Sequence, residues 1–159
     1  MPNVAPDENW NPYGELGPCA CSQVRRTARK LSLLYDHVLA RAGLTVTQFA
    51  VLVNIGRAGE ISRTALAALI GMDRTTLTRN LGPLERSNLV IKAQSQDRRE
   101  RLLCLSPEGR RKLTESQGIW QGVQSRFLQN IGPGVFEELR RTLEIAERAA
   151  ESILLNPES

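Results

Sequence analysis

The residues with the clearest chemistry in this chain are arginines. Arg74, Thr75, Thr78 and Arg79 stand at i, i+1, i+4 and i+5, a spacing that gathers them on one helix face. A guanidinium fork donates two hydrogen bonds to the acceptors of a guanine edge, and threonine offers a hydroxyl to phosphates or bases and a methyl to thymine. A second set, Arg98, Arg99 and Arg101, lies in the run Asp97-Arg98-Arg99-Glu100-Arg101. Arginines on a hairpin suit a narrow minor groove, where negative potential concentrates and shape rather than base identity is read. From Asp73 to Lys112 there are ten Lys or Arg against five Asp or Glu, so this stretch more than accounts for the total charge of +4. Local basicity in an otherwise balanced chain is the footprint of a phosphate-binding face, with a solvated charged surface as the bland alternative.

Other chemistries find less support. There is one histidine, His37, and neither a glycine-rich phosphate loop nor a nucleophile elbow, so no catalytic constellation is visible and an enzyme is not expected. No metal site or cofactor motif stands out. Helix N-termini favour thiolates, which makes Cys19 and Cys21, at the start of the first helical pattern, the candidates for redox chemistry; small packing residues are the other reading. If helical, the two would point about 200° apart, so bonding between subunits is easier than within one. Cys104 reads as core on an apolar strand, and an odd total of three cysteines cannot pair completely within one chain. Ser62 with Arg63 opens a short helix and offers either a phosphate contact or simple capping.

These residues need elements to hold them. Residues 1–18 carry four prolines and two glycines and read as a flexible arm without the apolar run of a signal peptide. Val24, Ala28, Leu31, Tyr35 and Val38 mark one face of a helix over 19–42. Gly43 stops it, and Thr45 with Gln48 forms a capping-box pattern for a second helix through Ile55. Ser62 caps a short helix expected to turn Leu66, Leu69 and Ile70 inward. Gly71 breaks it, and Asp73 caps a helix with Leu77, Leu81 and Leu84 toward the core. Two helices meeting across a glycine corner are a helix-turn-helix. Gly82 and Pro83 predict a kink, since interior proline loses a backbone hydrogen bond at roughly 3 kcal/mol. Leu89–Gln94 and Arg101–Leu105 read as strands around a basic tip. Ser106-Pro107 opens a long helix carrying Leu113, Trp120, Val123, Phe127 and Ile131. After Gly132-Pro133-Gly134, Phe136, Leu139, Leu143, Ala146 and Ile153 stripe a last one.

The fold class expected is therefore mainly α with a small β-hairpin wing: a winged helix-turn-helix lobe over 45–105, with dimerisation helices over 19–44 and 106–155. Terminal helices with apolar stripes would expose them in a lone subunit, and a twofold homodimer covers them. Two recognition helices about 34 Å apart then meet successive major grooves, so the expected partner is double-stranded DNA bearing an inverted repeat. No stretch approaches roughly 18 consecutive apolar residues, so no membrane association is expected and the chain is read as soluble and cytoplasmic. A winged-helix protein-interaction module without DNA binding is the rival of another class, though such a module would be expected to have lost these arginines.

The run from Asp97 through Arg101-Leu102-Leu103-Cys104-Leu105-Ser106-Pro107-Glu108 to Gly109 resembles the wing signature of the MarR family of bacterial transcription regulators. Gly71-Met72-Asp73-Arg74-Thr75-Thr76-Leu77-Thr78-Arg79-Asn80-Leu81 is similar to that family's recognition helix, and Gly43-Leu44-Thr45-Val46-Thr47-Gln48-Phe49 to the start of its second helix. The resemblance covers roughly residues 20 to 154 and departs at Ser106, where family wings usually carry threonine. It implies a dimeric regulator, more often a repressor than an activator, whose recognition helix reads the major groove and whose wing enters the minor groove. By position, Asp97 would orient the wing by pairing with an arginine, Arg99 would enter the groove, and Arg98 and Arg101 would supply phosphate contacts or the internal pair. It also implies a sensor, for which two readings stand. One is a small phenolic or aromatic effector, with Tyr35, His37 and Trp120 the candidate pocket residues; for His37 a surface or packing role is favoured over a titrating switch or ligand contact. The other is thiol oxidation at Cys19 and Cys21.

Overall fold

A computed structural model describes residues 19–93 and 102–156. The chain forms two units, the first ending at Leu34 and the second beginning at Tyr35, a boundary inside the first helix, α1 (Ala20–Leu39). In the first unit Val24 and Ala28 are exposed and Leu31 half-buried, so the expected helix is present while much of its apolar face meets solvent in the single chain.

In the second unit α1 tightens into a short 3-10 turn over Ala40–Ala42. Gly43 closes it at φ 69°, donating to the Ala40 carbonyl at 2.9 Å, while the Leu44 N–H reaches the Leu39 carbonyl at 3.2 Å. Helix α2 (Val46–Ala58) opens with the capping box read from sequence: the Gln48 N–H donates to Thr45 Oγ1 at 3.2 Å and the Thr45 N–H to Gln48 Oε1 at 3.0 Å. Asp36 Oδ1 accepts the Val46 N–H at 2.6 Å and ties the end of α1 to the start of α2.

Strand β1 (Ile61–Ser62) precedes α3 (Arg63–Leu69), α4 (Arg74–Arg86), β2 (Val90–Lys92), β3 (Leu102–Leu105), α5 (Pro107–Ile131) and α6 (Pro133–Leu155). The sheet has three antiparallel strands in the order β1-β3-β2, with Val90 opposite Leu105 and Ile61 opposite Leu103. The hairpin was expected; its third strand is too short to show any alternation. The core packs Val51, Leu52 and Ile55 of α2 against Leu66 and Ala67 of α3, Leu77, Leu81 and Leu84 of α4, and Val90, Leu103 and Leu105 of the sheet. Leu69 departs from the expected inward set: it is 60% exposed and Ala67 is buried instead. Leu66, Ala67 and Ile70 fall within about 100° of helix arc, and Leu69 lies outside it.

Helix α4 continues through Gly82 and Pro83 rather than ending there; Pro83 cannot make the bond back to Arg79, and the Ser87 N–H closes on the Pro83 carbonyl at 3.0 Å. Helix α5 ends at Gly132, φ 92°, and α6 starts at once on Pro133, so that Pro133 and Gly134, read as part of the break, belong to the helix, because proline is preorganised for the first helical position. No described residue of α6 is buried, and Ile153 and Leu154 are 69% and 79% exposed. No single helix among the described residues is long and apolar enough to cross a membrane.

Candidate nucleic-acid interface

Helix α4 is built to present one face. Leu77, Leu81 and Leu84 anchor it in the core, which turns Arg74, Thr75, Thr78 and Arg79 into solvent together, as their spacing required. Its start is fixed from both sides. The chain leaves α3 through Gly71 at φ 64°, with the Met72 N–H donating to the Ala67 carbonyl at 2.9 Å. Asp73 then caps α4, accepting the Thr76 N–H at 2.8 Å and the Thr76 hydroxyl at 2.7 Å. Those bonds, the hydroxyl's foremost, hold the Asp73 carboxyl below the usual carboxylate range.

Among the described residues Arg74 and Arg79 enter no ion pair, so their donors are available to a ligand. Thr78 differs from the sequence expectation in one respect: its hydroxyl donates to the Arg74 carbonyl at 2.7 Å, leaving its methyl and lone pairs rather than its proton for a partner. A cleft of about 250 Å³ opens between α3 and α4, lined by Arg63, Thr64, Arg74, Leu77 and Thr78. Arg63 crosses to α4 and pairs with Glu85 at 2.5 Å. This pair joins residues far apart in sequence and carries no local signal. Ser62 caps α3, its hydroxyl accepting the Ala65 N–H at 3.1 Å.

The base of the wing, β2 and β3, is in place beside α4. Asp97, Arg98, Arg99 and Arg101 lie outside the described residues. The strand returning from the wing locks onto the end of α4 at Ser106, which is buried. Its hydroxyl donates to the Asn88 carbonyl at 2.6 Å and accepts the Gly109 N–H at 2.9 Å, and its own N–H donates to the Leu89 carbonyl at 3.1 Å. Asn88 takes φ 55°, a conformation asparagine tolerates better than most residues. Gly109 is pressed against the same turn: a Cβ there would stand 2.0 Å from the Leu89 carbonyl oxygen.

The candidate sensor residues are not brought to one place. Trp120 stacks on Phe49 with ring centroids 6.1 Å apart, and both line a cavity of about 130 Å³ with Arg57 and Gln117. The Tyr35 hydroxyl donates to Gln124 Oε1, and burial pushes that phenol up from its ordinary value. His37 is exposed, and neither it nor Tyr35 lines the Trp120 cavity. Cys19 and Cys21 are exposed free thiols at the start of α1, and Cys104 is half-buried on β3. No group of three or more His, Cys, Asp or Glu among the described residues is arranged to hold a metal ion.

Comparison with known proteins agrees with this geometry. The model of the MarR family matches residues 44–100. The M. tuberculosis transcriptional regulator MosR, in a crystal structure of its complex with DNA, is 38% identical, with a TM-score of 0.75 over 85% of this chain and 98% of that one. A second MosR crystal structure is 36% identical, with a TM-score of 0.73 over 88% and 98%. The HTH-type transcriptional regulator YwoH of Bacillus subtilis is 27% identical over 93 residues, 58% of this chain and 68% of that protein. Since the family match spans the helix-turn-helix and the MosR likeness spans almost all of that regulator, the chain belongs to the MarR family of winged helix-turn-helix transcription regulators.

Proposed function

We propose that the chain is a repressor that binds an inverted repeat of duplex DNA as a homodimer in the cytoplasm, and that a small aromatic effector weakens the complex. The observation that carries this reading is the capped α4 with Arg74, Thr75, Thr78 and Arg79 exposed on one face. Arg74 and Arg79 are the base-reading candidates. The wing adds shape readout through Arg99, with Arg98 and Arg101 on phosphates and Asp97 orienting them. Residues 45–105 act as the DNA-binding lobe. The exposed apolar residues of α6, with Val24 and Leu33 of α1, support helices 19–44 and 106–155 as the dimer contact. A dimer seated on upstream DNA excludes polymerase, which is repression. MosR, crystallised with DNA, supports the partner.

For the effector, the Phe49–Trp120 stack beside Arg57 favours an aromatic acid, with the ring on the stack and the carboxylate on the guanidinium. Tyr35 and His37 act from outside that cavity. A second reading rests on the exposure of Cys19 and Cys21, whose oxidation would couple subunits through α1. Fluorescence anisotropy with the duplex upstream of its own coding sequence tests all of this. Loss of binding with salicylate as probe supports the aromatic site, and peroxide loss reversed by a thiol supports the cysteines. Failure to bind any duplex would leave a protein-interaction module.

A further inference from the structure

We propose that the cleft between α3 and α4 is a seat for a backbone phosphodiester of duplex DNA, and that Glu85 is the positioning residue holding Arg63 across it. This rests on the DNA-binding reading above. The cleft, about 250 Å³, is lined by two arginines, two threonines and one leucine, with no acid among them. A site of that composition takes an anion.

Two of its parts, Leu77 and Arg63, are held before any ligand arrives. Leu77 is buried and fixes the floor to the core. Arg63 would otherwise be a long mobile side chain, but its Nη2 is bound to Glu85 Oε1 at 2.5 Å, on the neighbouring helix. That bond engages one of the five N–H donors of a guanidinium and leaves the rest of the fork for a second anion. Both partners are partly exposed, with side-chain exposures of 40% and 31%, so solvent and a ligand can reach them. Arg74 enters no ion pair among the described residues, and the Thr64 hydroxyl makes no hydrogen bond there. Arg63 and Thr64 of α3 and Arg74 of α4 thus line one cleft with hydrogen-bond donors and no carboxylate. The chemistry fits a phosphate contact, which sets register along the duplex without carrying sequence information.

The test is the salt dependence of duplex binding by the full chain, measured with both a mixed-sequence duplex and its own upstream duplex. Each phosphate contact contributes about 0.9 to the slope of log affinity against log salt. Arg63→Ala should lower the slope by that amount on both duplexes, which makes the loss of affinity from 50 to 200 mM salt roughly threefold smaller. Glu85→Ala should lower it equally, and the double variant should go no further, since both remove one contact. If either alanine variant fails to fold, Arg63→Met and Glu85→Met, which keep the bulk but remove the charge and the hydrogen bond, give the same readout. An unchanged slope for Arg63→Ala overturns the seat. A Glu85→Ala variant that binds more tightly at unchanged slope overturns the positioning role, because that is what removing simple repulsion does. A wild-type chain that binds neither duplex would sink the DNA-binding reading itself, an outcome distinct from binding with unaltered slopes.

Discussion

Replacing Gly109 by alanine should destabilise this protein, although alanine is the better helix former by about 1 kcal/mol. Gly109 is the third residue of α5, and the added methyl would lie 2.0 Å from the Leu89 carbonyl oxygen, 2.9 Å from its carbon and 3.3 Å from its Cα. All three atoms are backbone, so no side chain can swing aside. An ordinary carbon–oxygen contact is about 3.3 Å, so the first turn of α5 must withdraw from the end of α4 by roughly 1.3 Å. That motion stretches the bonds of Ser106 to the Asn88 and Leu89 carbonyls, now 2.6 and 3.1 Å. Overpacking costs about 1–3 kcal/mol and each weakened hydrogen bond about 0.5–1.5. Less the gain in helix propensity, the net loss is about 1–5 kcal/mol, and at the middle of that range, near 3, a fall of roughly 6–12 °C in Tm for a chain of this size. Thermal unfolding followed by circular dichroism at one fixed protein concentration measures it, because association would shift the midpoint with concentration. Gly118→Ala on the same helix is the control: nothing lies within 4 Å of its Cβ position, so its midpoint should hold or rise. A Gly109→Ala midpoint at or above the wild type would refute the close approach.

Three further outcomes are expected. Asp73→Ala should lower the unfolding midpoint at neutral pH and lose that effect in acid: the carboxyl is depressed in the folded chain, so its contribution is present above the ordinary value of 3.8 and disappears as pH falls through the folded value. Thermal melts of both proteins across that range check it. Arg79→Ala should relax preference at one operator position by about tenfold or more while sparing nonspecific binding, as a bidentate base contact worth roughly 1–3 kcal/mol requires; competition with single-base operator variants reads this. Arg99→Ala should weaken binding to every sequence and lower the salt slope by about 0.9, and an unchanged slope would remove it from the wing's role.

Much of this was legible in the sequence because it is local. Thr45 with Gln48, Asp73 and Ser106 each announce a helix that starts at the next residue, and each accepts the N–H three residues on, as its type predicts. The outward face of α4 followed from the inward one. Leu69 was misread because a seven-residue helix is too short for its periodicity to choose between adjacent arcs. The Ile61–Ser62 strand has no pattern of its own and exists because β3 offers an edge. Arg63 with Glu85 and Phe49 with Trp120 are partners only after folding, so nothing in their spacing announces them.

The central position of β3 has a kinetic consequence. One edge carries the wing strand and the other carries Ile61–Ser62, which run directly into Arg63. Strand β2, at the base of the wing, and the residues that open α3 are therefore stitched to the same strand. If a duplex is held at both places, as proposed, it has no cheap partly detached state to pass through. It leaves when both contacts open together, so the lifetime of the complex, more than its rate of formation, is where this stitching should be felt.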